Sequence, residues 1–192
     1  MMARYLLKRI WGLASQAEML ENSLRSKRTR NHSFPDITWD HSHVVADDDD
    51  RVISYCIYVA PSVERVLEHA SATGGHFVDH VLPLTDDVER AGAQPRAAGD
   101  SSPRYLVVQR WADGVTGEQI DANLRDADAR SPDVTWEHSH LGTNDRGYVL
   151  SHGVYRASDD AVVRRHATRM ADSEIEEVFE IGGDVRPEDL VG

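Results

Sequence analysis

The chain has 192 residues, 40% of them hydrophobic, with 33 Asp plus Glu against 21 Lys plus Arg and a formal net charge of −12. That length makes one ordinary domain or two small ones, and the hydrophobic share excludes wholesale disorder. The acidic balance opposes contact with phosphate backbones, so no nucleic-acid partner is expected. The one basic run, Arg25-Ser26-Lys27-Arg28-Thr29-Arg30, is short and local. A single cysteine, Cys56, rules out an intrachain disulfide framework and fits a reducing compartment. No run approaches the ~20 apolar residues that span a bilayer. Arg4, Lys8 and Arg9 interrupt the apolar start, where a signal peptide would be continuous. A cytoplasmic protein with no membrane partner is therefore expected.

In chain order, residues 5–11 form a β-branched and aromatic run, hence a strand. A helix follows, extended by the basic stretch near Arg28. The motif Thr38-Trp39-Asp40-His41-Ser42-His43 opens a second strand, and Asp47 to Asp50 form a solvated hairpin turn before the third. Val63, Val66, Leu67 and Ala70 then mark the packed stripe of a second helix, with His69 at its edge. Residues 86–102 are rich in Ala, Gly, Pro, Asp and Ser and read as a linker.

Beyond that stretch the chain repeats itself. Arg4-Tyr5-Leu6 recurs at an offset of 100 as Arg104-Tyr105-Leu106, and Trp11 recurs as Trp111. From the second strand on, the offset is 97: Thr135-Trp136-Glu137-His138-Ser139-His140 repeats the motif, and His69-Ala70 returns as His166-Ala167. The first copy therefore holds three extra residues, placed between Arg25 and Pro35. In the second copy, Thr116-Gly117-Glu118-Gln119 caps a helix, and Ser131-Pro132-Asp133 breaks it. Strands follow at 134–141 and 148–155, then a helix from Ser158-Asp159-Asp160 to about Met170 and a last strand at 175–181.

The order β-α-β-β-α-β is the ferredoxin-like split unit. The expected fold is α+β: two tandem ferredoxin-like units, residues 2–85 and 103–182, packed sheet to sheet as a barrel-like pseudo-dimer. A linker at 86–102 joins them and a tail at 183–192 follows. On the third strand, Ile53, Ile57, Leu150 and Val154 are expected to face the helices, and Ser54, Cys56 and Tyr58 the other side.

On a strand, residues i and i+2 share a face, so His41 and His43, and likewise His138 and His140, stand side by side in a row continuing from Trp39 or Trp136. Two imidazoles about 7 Å apart at their Cα atoms can converge on one divalent ion, nickel, zinc, copper or cobalt. The plainer alternative is a pair of amphipathic side chains at a sheet surface. His69 and His166 are further candidate ligands, or else partly buried helix residues. His152 and Gly153 stand where the first copy has Tyr55 and Cys56. His76 and His80 have no histidine counterparts in the second copy.

These stretches carry a resemblance. Arg4-Tyr5-Leu6, Thr38-Trp39-Asp40-His41-Ser42, Cys56-Ile57-Tyr58-Val59-Ala60-Pro61 and Glu68-His69-Ala70 resemble a family of small ferredoxin-like proteins of unknown function that includes nickel-binding members. The second copy matches at Arg104-Tyr105-Leu106, Trp136-Glu137-His138-Ser139 and His166-Ala167, without the Cys and Pro. Members of that family pair as dimers, so the resemblance implies a dimer fused into one chain, which leaves room for further homo-oligomers. It implies binding of a transition metal, most of all nickel, without catalytic turnover. The rival expectation is an α+β barrel holding haem or a small aromatic ligand, as an oxygenase- or isomerase-like enzyme.

Overall fold

The computed structural model describes residues 2–89 and 102–191. The central part of the expected linker, residues 90–101, lies outside them. The chain divides into two compact units, one of Met1–Pro83 with Gly182–Gly192, the other of Leu84–Ile181.

The first unit runs β1 (Ala3–Gly12), α1 (Gln16–Ser33), β2 (Thr38–Ala46), β3 (Val52–Ala60), α2 (Val63–Thr73) and the first half of β4 (Phe77–Glu89). Ser15 and Glu18 form a reciprocal capping box on α1, and the Ser62 side chain caps α2, so both helices start where orphan N–H groups find acceptors. β1 pairs antiparallel with β3 and β4, and β3 pairs with β2. The second unit repeats the order with β5 (Arg104–Trp111), α3 (Gly117–Ala129), β6 (Thr135–Thr143), β7 (Val149–Arg156), α4 (Asp160–Ala167) and most of β8 (Ser173–Val185). Here β5 pairs with β7 and β8, and β7 with β6. The split β-α-β-β-α-β order and the α+β class are thus those read from the sequence. α1 is 18 residues long against 13 for α3, in keeping with an insertion after Arg25.

Two boundaries differ from expectation. Residues 86–89 are not linker: they continue β4 and pair with β6. Acidic composition disguised them, yet Val88 turns into the core of the second unit. Residues 183–185 are likewise not tail. They complete β8 beside β2, and a 3-10 turn at Pro187–Asp189 then brings Leu190 into the core of the first unit. Lys27 Nζ donates to the Leu190 carbonyl at 2.6 Å, tying this end down.

The faces of the third strands are also the reverse of the expectation. Cys56 and Tyr58 join Trp39, Val66 and Ala70 in the helix-packed core of the first unit, and Tyr155 joins Trp136, Val163 and Ala167 in that of the second. Ile53 and Ile57, like Leu150 and Val154, belong to the opposite face. Aromatic bulk, rather than aliphatic character, fills the space under the helices.

Candidate metal centre

In both copies the register of the second strand slips at one residue. Trp39 pairs with Tyr58 but His41 with Ile57, and Trp136 pairs with Tyr155 but His138 with Val154. Asp40 and Glu137 are the extra residues of two β-bulges. A bulge flips the alternation, so the row from tryptophan to histidine expected from simple i, i+2 spacing is broken. Each tryptophan turns into the helix-side core and donates its indole N–H to the serine three residues on, Trp39 to Ser42 at 2.9 Å and Trp136 to Ser139 at 3.0 Å. The histidines take the other face. Each bulge carboxylate meets arginine: Asp40 pairs with Arg4, and Glu137 with Arg104 and Arg156.

Within each pair the imidazoles do stand together. The ring centroids of His41 and His43 are 4.9 Å apart, and those of His138 and His140 are 5.1 Å apart. His43 and His140 are buried, while His41 and His138 are partly exposed. The extended strand ends supply a feature that no motif announced. His43 Nδ1 lies 2.7 Å from the Asp184 carboxylate in the first unit, and His140 Nδ1 lies 2.6 Å from Asp87 in the second. Asp87 and Asp184 obey the same offset of 97 as the histidines. That match was the available signal, hidden because both aspartates fell in stretches read as linker and tail.

The cross-strand neighbours separate the two copies. In the first unit His43 pairs with Tyr55, and Tyr55 with Lys8, so a lysine shares the histidine face. In the second, His140 pairs with His152, and His152 with Val108. The second unit therefore gathers His138, His140 and His152 on one face and replaces the lysine by valine.

The helix histidines sit elsewhere. His69 is fully buried on the helix side, edge-on to Phe34 and 5.4 Å from the Tyr58 ring, with Nε2 3.3 Å from the Ser26 carbonyl. His166 packs at 5.2 Å on Tyr155 in the same way. Burial pushes both down to about 4, helped at His69 by the Arg9 guanidinium and at His166 by Arg169. These two rings lie across the sheet from the strand-two pairs and cannot share their ion. His76 and His80 do not converge either: His76 packs on Trp11, while His80 pairs with Asp79. The Asp47 carboxylate accepts from the backbone N–H groups of Asp49 and Arg51, which closes the acidic turn on itself.

With this geometry in place, comparison with known proteins is informative. Residues 5–84 match the family described as nickel responsive protein SCO4226-like. The first copy is thus similar to that family. That stretch contains the first-copy motifs on which the sequence resemblance rested, apart from Arg4. No curated protein matches the chain. Among solved structures, a chlorite dismutase variant from Candidatus Nitrospira defluvii superposes with a TM-score of 0.54 at 9% identity, covering 98% of this chain and 93% of that one. An anthrone oxidase-like protein gives a TM-score of 0.46 at 10% identity over 98% and 97%. Likeness to the former shows the fold alone, that of the dimeric α+β barrel proteins. No described helix is long and apolar enough to cross a membrane.

Proposed function

We propose that this protein binds a divalent transition metal, most of all nickel, through the strand-two histidines, without turnover, and that its two copies arose by duplication. The observation that carries the reading is the carboxylate–histidine pair found twice, His43 with Asp184 and His140 with Asp87. A metal-ligating histidine characteristically directs its other ring nitrogen at a carboxylate, which fixes the tautomer and raises the basicity of the ligand. Nδ1 is the engaged atom in both copies, so Nε2 is the nitrogen that would bind. His41 and His138, each about 5 Å away between ring centroids, supply the second imidazole. Imidazole nitrogen suits nickel, copper and zinc alike, and the nickel responsive family matched by the first copy favours nickel. His69 and His166, on the opposite face, are not part of this site.

The two units differ in what stands beside the histidine pair. His152 lies directly across from His140 and adds an imidazole to that face, though the ring nitrogens of His138, His140 and His152 do not converge on one point. In the first unit Tyr55 stands at that place and the Lys8 ammonium shares the face.

Nickel titration by calorimetry tests this directly. Replacing His41, His43, His138 and His140 together by Ala should abolish binding while circular dichroism stays unchanged. Undiminished binding in that variant refutes the site, and absence of binding by the parent at neutral pH refutes the metal reading. An absorption spectrum with a Soret band after haem addition, retained in the parent and lost in the variant, would instead favour the haem-binding rival.

A further inference from the structure

The first unit holds a buried cation for which its own fold gives no counter-charge. Arg9, on β1, is 2% exposed. One terminal nitrogen donates to the Tyr58 hydroxyl at 2.9 Å, and the guanidinium lies over the Trp11 and Tyr58 rings at 5.9 and 5.5 Å. Its Nε–H has no acceptor, and among the described residues no carboxylate pairs with it. A buried charge in this condition is costly unless something compensates it.

Arg9 lines a small chamber on the helix side. Of the other polar groups there, Ser23 spends its proton on the Met19 carbonyl and Asn22 Oδ1 accepts from Arg25, while Ser42 and Ser54 are placed to donate. The Ser42 hydroxyl oxygen accepts from the Trp39 indole, and the Ser54 oxygen accepts from Trp11 and from the Cys56 thiol. With their oxygens used as acceptors, both hydroxyls keep their proton to donate. A chamber whose one charge is an unpaired cation, beside two hydroxyls with protons to donate, favours an anion. Its volume is about 10 Å³, room for a single water-sized group.

The chamber does not stand alone. Met19, Ser23, Val44 and Val185 line both it and an adjoining groove of about 680 Å³ that is open to solvent, with Leu20 still 55% exposed. That groove is walled largely by apolar side chains such as Ala17, Leu20 and Leu190. Its one carboxylate, Asp184, is engaged by His43 and would turn an anionic head away from that end. In the second unit, Gln109 stands at the place of Arg9 and satisfies its amide on the Ala167 carbonyl and the Ser173 hydroxyl. The feature belongs to the first copy.

We propose that the first unit binds an amphipathic monocarboxylate, one carboxylate oxygen entering the chamber against Arg9, Ser42 and Ser54 and the apolar body lying in the adjoining groove. The chamber with Arg9 lies across the sheet from His41 and His43, and although Asp184 of the adjoining groove touches His43, the proposal does not depend on the metal reading. Decanoate and decanol are suitable probes, because they share a tail and differ in charge. Binding is read on the intact protein by calorimetry and by the fluorescence of Trp11 and Trp39, which line the chamber. Decanoate should bind one per chain, roughly tenfold or more tighter than decanol, as expected for a charge-assisted hydrogen bond. Arg9→Gln installs the residue of the second copy and should erase that preference while leaving decanol affinity unchanged. Ala17→Phe, which fills the groove, should weaken both probes. Equal affinity of the parent for decanoate and decanol overturns the proposal without recourse to any variant. So does a decanoate preference that survives in Arg9→Gln, or no binding of decanoate at all.

Discussion

At the residue scale, the most consequential side chains are two aspartates outside every motif. Asp184 and Asp87 hold His43 and His140 by Nδ1. Removing the charge while keeping the shape, Asp184→Asn with Asp87→Asn, should lower nickel affinity by roughly 10–100-fold, the usual loss when a partner behind a metal ligand is changed. Calorimetry on the double variant reads this, with unchanged circular dichroism as control. The helix histidines lead to a different expectation. His69 and His166 have a folded-state pKa of about 4 against an ordinary value of 6.5, because burial disfavours the charged ring. Above 6.5 both rings are neutral whether the chain is folded or not. As the pH falls from 6.5 towards 4, the unfolded chain takes up protons that the folded rings refuse, so stability present above 6.5 is progressively lost. The loss is on the order of 2–3 kcal/mol per ring. Denaturant unfolding at pH 7 and pH 4.5 should show it, and replacing both rings by Leu should shrink the difference. The strand-two histidines were legible as a repeated motif, whereas Asp87 and Asp184 were not. A lone aspartate in an acidic stretch has no local signature, and only the offset of 97 relates the two.

At the scale of elements, the two bulges decide which chemistry appears on which side of the sheet. Strict alternation over Trp-Asp-His-Ser-His would put tryptophan and both histidines in one row. The bulges at Asp40 and Glu137 instead send each indole to the helix core and each histidine pair to the opposite face. Nothing in residue type distinguishes a bulged acidic residue from an ordinary outward-facing one, which is why strand and hairpin were readable but faces were not. The third strands differ from expectation for another reason: Tyr58 and Tyr155 fill the space under the helices. Deleting Glu137 should therefore do more harm than replacing it. Without the bulge, either Trp136 or the histidines must change sides, so the deletion should lower the melting temperature by many degrees and abolish any nickel binding at the second unit. Glu137→Ala keeps the bulge and loses the ion pairs with Arg104 and Arg156, and should retain both fold and binding. Matching behaviour of the two variants would refute this role for the bulge.

At the scale of the whole molecule, the first unit is discontinuous in sequence, being built of Met1–Pro83 and Gly182–Gly192, while the second is the continuous stretch Leu84–Ile181. The returning segment contributes three separate things to the first unit. It supplies the end of β8 beside β2, the Leu190 side chain in the core, and the Asp184 carboxylate on His43. Its absence would also leave the Lys27 ammonium without the Leu190 carbonyl. Deleting residues 182–192 should accordingly destabilise a unit whose other residues lie a hundred positions away. Loss of one buried leucine alone is worth about 2–5 kcal/mol, and the exposed flank of β2 adds to it. Hydrogen exchange followed by mass spectrometry should show faster exchange in β2 and α1, with β5 to β7 little changed. Nickel binding should fall at the first unit and persist at the second, whose carboxylate–histidine pair, His140 with Asp87, is wholly its own. Uniform loss of protection across both units would instead mean that they unfold as one, and unchanged exchange in β2 would mean that the returning strand end contributes nothing.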